Sequence, residues 1–243
     1  MITVAFNSAE TISYQIRTIR RFMKGSYNYF VFDNSTDEKE AEQISILCRQ
    51  DGVNYIRLPH NPYRGHGHGS VSHGVALNYA WKHYLSKRDG RNWIGIIDHD
   101  IFLVNPIDMD SVLENHKLYG RMMTYGKHDY MWPGLFFCKE NYLMKKGYID
   151  FKPGRGVDTG GNVLTIDDIE KCKVAVPKLI PVNTGCQDQM GRSNYELYDE
   201  TWLHFGDLSN FANFDGLSNK KKEIWKLLEE KAALEGCEAG NDR

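Results

Sequence analysis

No stretch of this sequence approaches the roughly 18 apolar residues that a membrane-spanning helix needs, so no integral membrane segment is expected. Its first residues, MITVAFNSAE, lack the basic flank and apolar core of a secretory leader. Neither sign of charge is in excess: 30 Lys and Arg against 32 Asp and Glu leave a formal net charge of -2. That balance gives no reason to expect nucleic acid or an anionic lipid surface as partner, and any anionic ligand must be held by local charge. Cysteine is sparse: Cys48, Cys138, Cys172, Cys186 and Cys237 are scattered, odd in number and without a CxxC pair. They read as reduced thiols in a cytoplasmic setting. Linkers, low-complexity segments and internal repeats are also lacking, so the 243 residues are expected to form a single domain. With 41% hydrophobic against 26% charged residues, the chain can bury a sizeable core and is not disordered in the main.

What is present alternates. Ile2 to Phe6 reads as a strand, and Ser8 as the cap of a helix with Ile12, Ile16, Ile19 and Met23 on one face, stopped by Gly25. Tyr29 to Phe32 is a second strand. A helix with Ile44, Leu47 and Cys48 inward follows, and Val53 to Leu58 is a third strand. This rhythm predicts an α/β sandwich with a central, mostly parallel sheet. Pro59 to His73 reads as a loop, Ser72 to Leu85 as a helix, and Trp93 to Val104 as the most apolar strand of the chain. Tyr119 to Tyr125 and Gly134 to Cys138 continue as strands, Gly154 to Gly161 as a glycine-rich loop, and Lys220 to Leu234 as an amphipathic helix.

Chemistry concentrates in Asp98-His99-Asp100, which interrupts the run WIGIIDHDIFLV. Carboxylates in such a run are costly unless they are paired or metal-bound. On a strand both acids face one way, and a small bend at its carboxyl end, where open α/β sheets bind ligands, lets them converge. Oxygen ligands of this kind suit Mg²⁺ or Mn²⁺ bridging to phosphate. Taken alone, the same pattern is equally a tight turn with two solvated aspartates. Asp33-Asn34-Ser35 closes the second strand, where an acid can accept from a base or a ribose. His204 comes late, in WLHFGD, and alone reads as a histidine packed at a strand end.

In order along the chain, FVFDNSTDE, GVALNYAW, WIGIIDHDIFLVNP, MWPGLFFCKEN and WLHFGDLSNF resemble the GT-A glycosyltransferases, within them the small family-2-like group. The resemblance runs from the first strand to about Phe211 and rests on the order of the pieces. It implies a GT-A-like Rossmann-type sandwich, with a nucleotide-binding half at about 1–106, an acceptor half at about 107–215 and a C-terminal helix at about 220–234. It implies transfer of a sugar from a nucleotide diphosphate sugar to a hydroxyl acceptor such as a glycan, with Mn²⁺ or Mg²⁺ as cofactor. Asp33 would contact the base, Asp98 lie near the ribose, Asp100 ligate the metal, and His204 be a further metal or diphosphate ligand. Two departures stand out: Leu77-Asn78-Tyr79 replaces the Arg-Asn-x-Gly of the helix that carries Asn78 on the donor side, and the Glu-Asp base motif is absent.

The acceptor side must lie beyond the metal strand. Trp132-Pro133-Gly134 offers an aromatic platform for a sugar face, or an ordinary core tryptophan. Asp158, between Gly156 and Gly160, is the candidate base for the acceptor hydroxyl, with Asp188 in reserve; an Asx-turn bracing its own loop is an equal reading of Asp158. The loop RGHGHGSVSHG is read as a cover over the diphosphate, with Arg64 and the backbone around Ser72 and His73 supplying positive character. Two other functions fit parts of the sequence. One is a zinc-dependent hydrolase using His66, His68 and His73, although no Asp or Glu occurs from Asn61 to Lys82. The other is a nucleotide-sugar-binding module without turnover.

Overall fold

The computed structural model describes residues 1–64, 68–87, 93–125, 128–144, 149–154, 158–161, 172–181, 194–206 and 215–234. In chain order these form β1 (Ile2–Ala5), α1 (Ala9–Phe22), β2 (Met23–Lys24), β3 (Phe30–Asp33), α2 (Glu38–Gln50), β4 (Asn54–Arg57) and α3 (Gly69–His83). After a 3₁₀ turn at Leu85–Lys87 come β5 (Trp93–Asp98), β6 (Ile101–Leu103), β7 (Ile107–Asp108), α4 (Met109–Val112), β8 (Leu118–Tyr125) and β9 (His128–Lys139). The chain continues with α5 (Glu140–Met144), β10 (Cys172–Val174), β11 (Pro177–Pro181), β12 (Asn194–Tyr198), β13 (Trp202–His204) and α6 (Asp215–Leu234).

Seven strands make the central sheet in the order β10-β8-β9-β5-β1-β3-β4. Every pairing in it is parallel except the two made by β9, so the expected α/β class and mostly parallel sheet are what the chain builds. The second half of the chain does not stand apart, since β8, β9 and β10 extend the sheet begun by β1, β3, β4 and β5. Both faces are apolar, as a parallel sheet covered on both sides requires. Val31, Ile97 and Phe137 pack with α1 and α2 on one face. Ile2, Ile94, Ile96 and Phe136 pack with Ala76, Leu77, Ala80 and Trp81 of α3 on the other.

The helices form for local reasons. Ser8 caps α1 by accepting from the Thr11 backbone N–H, and Ile12, Ile16, Ile19 and Phe22 line its buried face. Asp37 caps α2 by accepting from Lys39 and Glu40. Met23, expected on α1, leaves the helix and pairs with Ile107 in a small ribbon. α3 begins at Gly69 rather than Ser72, and β9 begins at His128 rather than Gly134.

One larger difference matters for function. The apolar run from Trp93 to Val104 is not one strand. β5 ends at Asp98 in the central sheet, His99 and Asp100 form a turn, and β6 enters a second sheet of order β11-β12-β13-β6. Apolar content cannot reveal this break, because residues on both sides of it are buried. The second sheet is covered by α6: Ile224, Trp225 and Leu228 pack on Phe102, Leu203 and Phe205. Trp225 also stacks on Tyr14 of α1 at 4.2 Å, and Arg17 forks onto Glu229 at 2.8 and 2.9 Å.

The β8–β9 ladder slips between Gly120 and Met122. There the single residue Arg121 stands opposite the stretch from Trp132 to Leu135, which includes Pro133, a residue with no N–H to donate. Gly120 passes so close to β9 that a Cβ would lie 2.2 Å from the Leu135 carbonyl oxygen. Gly120→Ala should therefore cost about 1–3 kcal/mol of stability through forced backbone movement, read as a lower urea midpoint; an unchanged midpoint would contradict this packing.

Candidate functional site

Along the sheet the chain steps outward from β1 to β3 to β4, then returns to place β5 on the other side of β1. Such a reversal leaves a crevice at the carboxyl ends of the strands, where open α/β sheets take their ligands. Ala5, Asp33 and Asp98 mark that edge. The turn after β5 is braced from within: the Gln15 amide of α1 donates to the carbonyls of Asp98 (2.8 Å) and Ile101 (2.9 Å), and Phe205 N donates to the Asp100 carbonyl (3.0 Å). His99 is buried.

Two acid–imidazole pairs meet at this turn. His73 of α3 has Nε2 3.4 Å from Asp98 Oδ1, and His204 of β13 has Nε2 3.7 Å from Asp100 Oδ1. Burial, then the nearby charges of Asp100 and Asp158, push the Asp98 carboxyl well above the usual carboxylate range. Burial and His99 hold the His73 imidazole down to about 4, against the opposing pull of Asp158 and Asp100. Asp98 thus lies within electrostatic reach of both Asp100 and Asp158, a crowding that a cation would relieve.

His204 is held from behind. Its Nδ1 lies 2.7 Å from Glu196 Oε2, the same oxygen receives the Tyr198 hydroxyl at 2.6 Å, and Arg121 forks onto Glu196 at 2.8 and 3.0 Å. Burial works against the charge, but the bonds from His204, Tyr198 and Arg121 hold the Glu196 carboxyl down to about 2. Among the described residues, no group of three or more His, Cys, Asp or Glu is arranged to hold a metal ion. Mg²⁺ or Mn²⁺ does not need one, since such ions keep waters and take further ligands from substrate phosphates. The facing Asp100 oxygen and His204 nitrogen fit that use.

At the end of β3 the sequence reading is corrected. Asp33 is 0% exposed. Its carboxylate accepts from Ser35 N (2.9 Å), the Tyr55 hydroxyl (2.7 Å) and Arg57 (3.0 Å), so it braces Tyr55 and Arg57 rather than facing a base. Asn34 is also buried: it donates to Ser72 Oγ at 2.9 Å and accepts from Arg64 Nε at 2.8 Å. Arg64 is thereby tied to the crevice edge, where burial and the neighbouring Arg57 lower its guanidinium from the ordinary value. Asn78 belongs elsewhere than the donor side. Its amide donates to Asp150 (2.7 Å) and accepts from Phe151 N (2.8 Å), which docks the 149–154 segment on α3.

That docking carries Asp158 to the site. Gly74 lets the segment approach so closely that a Cβ would lie 2.6 Å from Lys152 Cα. Gly160 N donates to the Phe151 carbonyl (2.7 Å), and the Thr159 hydroxyl donates to the Ser70 carbonyl (3.0 Å). Gly160, which the sequence offers as an acceptor contact beside Asp158, is instead buried at φ +83 and serves this turn. Asp158 is exposed, accepts from Thr159 N at 2.7 Å, and lies within electrostatic reach of Asp98 and His73. Both readings of it, local brace and base, survive in that geometry. The Trp132 platform does not. The Trp132 ring is buried, lies across Gly134, sits 5.1 Å from the His204 ring and carries Arg121 over its face at 5.2 Å. Neither Trp132 nor Gly134 presents a surface to an acceptor.

Asp188, Gly156 and His66 lie outside the described residues. His68 and His73 do not share a site: His68 at the start of α3 is exposed and packs edge-on against Tyr63, whereas His73 faces Asp98. A zinc hydrolase wants three protein ligands, and the described histidines of this loop do not supply them. No described helix is long and apolar enough to cross a membrane.

No protein-family model matches the sequence, and no curated protein matches it. Solved structures do. TarS of S. aureus matches over 62% of this chain and 29% of its own, at 15% identity and a TM-score of 0.42. The galactosyltransferase LgtC, in complex with donor and acceptor sugar analogues, matches over 72% of both chains at 10% identity and a TM-score of 0.46. A mycobacterial protein matches over 81% of this chain and 82% of its own, at 13% identity and a TM-score of 0.41. The chain thus spans less than a third of the length of the TarS structure. Likenesses of this degree carry no weight for the chemistry, which rests on the site itself.

The docking of Asp158 through α3 is testable. Asn78→Ala leaves the Phe151 N–H without its acceptor, at a cost of about 1–3 kcal/mol. Amide exchange at Phe151 should accelerate by more than exchange in β1 or β5; equal protection in variant and parent would show that Asn78 does not hold the segment.

Proposed function

We propose that this chain transfers a sugar from a nucleotide diphosphate sugar to a hydroxyl acceptor, with Mn²⁺ or Mg²⁺ held at the turn between β5 and β6. One observation carries the reading. Two carboxylates and two imidazoles, drawn from α3, the β5–β6 turn and β13, converge at the crevice where the strand order reverses. The chain as a whole carries no excess of basic residues that would otherwise neutralise a diphosphate.

In this scheme the nucleotide lies across the ends of β1, β3 and β5. Arg57 and Tyr55, braced by Asp33, border the base. Arg64, oriented by Asn34, and the amino end of α3 face the diphosphate, where backbone N–H groups and the helix dipole favour negative charge. Asp100 and His204 would hold the cation, with Asp98 beside them. When bound, the cation supplies positive charge against the charge that develops on the leaving diphosphate. Asp158 takes the proton from the acceptor hydroxyl as that oxygen bonds to the sugar's anomeric carbon, while the bond from that carbon to the diphosphate oxygen breaks. His73, kept neutral by burial, orients Asp98 without adding a positive charge that would compete for the cation.

Calorimetry with UDP, GDP and dTDP, each in chelator and then in Mn²⁺, tests the cation's role. At least one nucleotide should bind more tightly with Mn²⁺, and Asp100→Asn should remove the difference while leaving the melting temperature near that of the parent. Equal affinity in both conditions for every nucleotide would end the metal reading. For the base, a positioned carboxylate contributes about 10²–10⁴-fold in rate. Asp158→Asn should cut transfer by that order with donor binding retained; transfer at the parent rate would remove Asp158 from the mechanism.

A further inference from the structure

We propose that Glu196, clamped by Arg121 and Tyr198, is the positioning residue that fixes the His204 ring with its Nε2 lone pair towards Asp100. This deepens the metal-dependent reading above and rests on it.

The geometry is specific. Glu196 and His204 are directly paired residues of the antiparallel strands β12 and β13, so their side chains stand on one face of the second sheet. Arg121 reaches them from the other sheet, projecting where the β8–β9 register slips; such irregularities re-aim side chains. The fork of Arg121 onto both oxygens keeps Glu196 ionised, and a carboxylate with no hydrogen can only accept. The Nδ1 of His204, 2.7 Å away, therefore donates, and the uncharged ring that a metal requires then has its free lone pair on Nε2, which faces Asp100 at 3.7 Å. Rotation of the ring is opposed by Trp132 on one side, at 5.1 Å, and by Tyr198 at 6.3 Å. The arrangement therefore spans both sheets and fixes which ring nitrogen faces Asp100 before any ligand arrives. Carboxylates that hold the far nitrogen of a metal-binding histidine fix its orientation and raise its basicity, and their loss costs 10–100-fold in metal affinity as a rule of thumb.

Manganese binding, followed by loss of the free-ion electron paramagnetic resonance signal in the presence of saturating UDP or GDP, reads this without measuring turnover. Glu196→Gln should weaken Mn²⁺ by about 10–100-fold, with the affinity for the nucleotide in chelator unchanged. His204→Ala should weaken it at least as far. The double variant should be no weaker than His204→Ala alone, because Glu196 acts through His204. Additive losses in the double variant, or Mn²⁺ affinity within twofold of the parent in Glu196→Gln, would overturn the inference while leaving the metal reading intact. Absence of Mn²⁺ binding by the parent protein would overturn both. Nitrogen-15 spectra of the parent supply a measurement that needs no folded Glu196 variant: His204 should be hydrogen-bearing at Nδ1 and bare at Nε2, and the opposite tautomer would overturn the assignment.

Discussion

The turn at His99 and Asp100 is the constraint from which the rest of the site follows. A single stretch of chain must serve two sheets, leaving one at Asp98 and joining the other at Ile101. Gln15 from α1 takes the carbonyls of Asp98 and Ile101, and Phe205 N takes that of Asp100. Buried backbone acceptors left unpaired would cost comparably to a lost hydrogen bond each. Fixed in this way, the turn holds Asp98 and Asp100 where α3, β13 and the 158–161 segment can bring imidazoles and a third carboxylate towards them.

Electrostatics and packing are coupled at this corner. Burial, and then the charges of Asp100 and Asp158, disfavour an ionised Asp98. Glu196, by contrast, is compensated by Arg121, Tyr198 and His204. Glu196 is therefore balanced by its own partners, whereas the acids at the turn crowd one another around Asp98. A balanced strut beside such a crowd would suit the proposed cation site.

Much of the architecture was legible in the sequence, because it is written in local patterns. The apolar spacing of Ile12, Ile16 and Ile19 and the cap at Ser8 describe α1 as it forms. The acids at Asp98 and Asp100 announced themselves by interrupting an apolar run. What could not be read depends on direction and distance. Trp132 and Asn78 are residue types that serve ligands or cores equally well, and only the facing strand or segment decides which. Arg121, Glu196 and Tyr198 meet His204 through strand register and a slipped ladder, which no spacing along the chain encodes. The break between β5 and β6 was hidden because both strands are equally buried, and Asp33 looked available because the pairing with Arg57 crosses to the adjacent strand.

The proposed cation would join this corner to a nucleotide diphosphate. Crystals grown with Mn²⁺ and the nucleoside diphosphate that binds best, measured at the manganese absorption edge, test this. An anomalous peak is expected beside the diphosphate, next to the side chains of Asp100 and His204. A diphosphate bound in the crevice with no peak there, or a peak held by other residues, would contradict it.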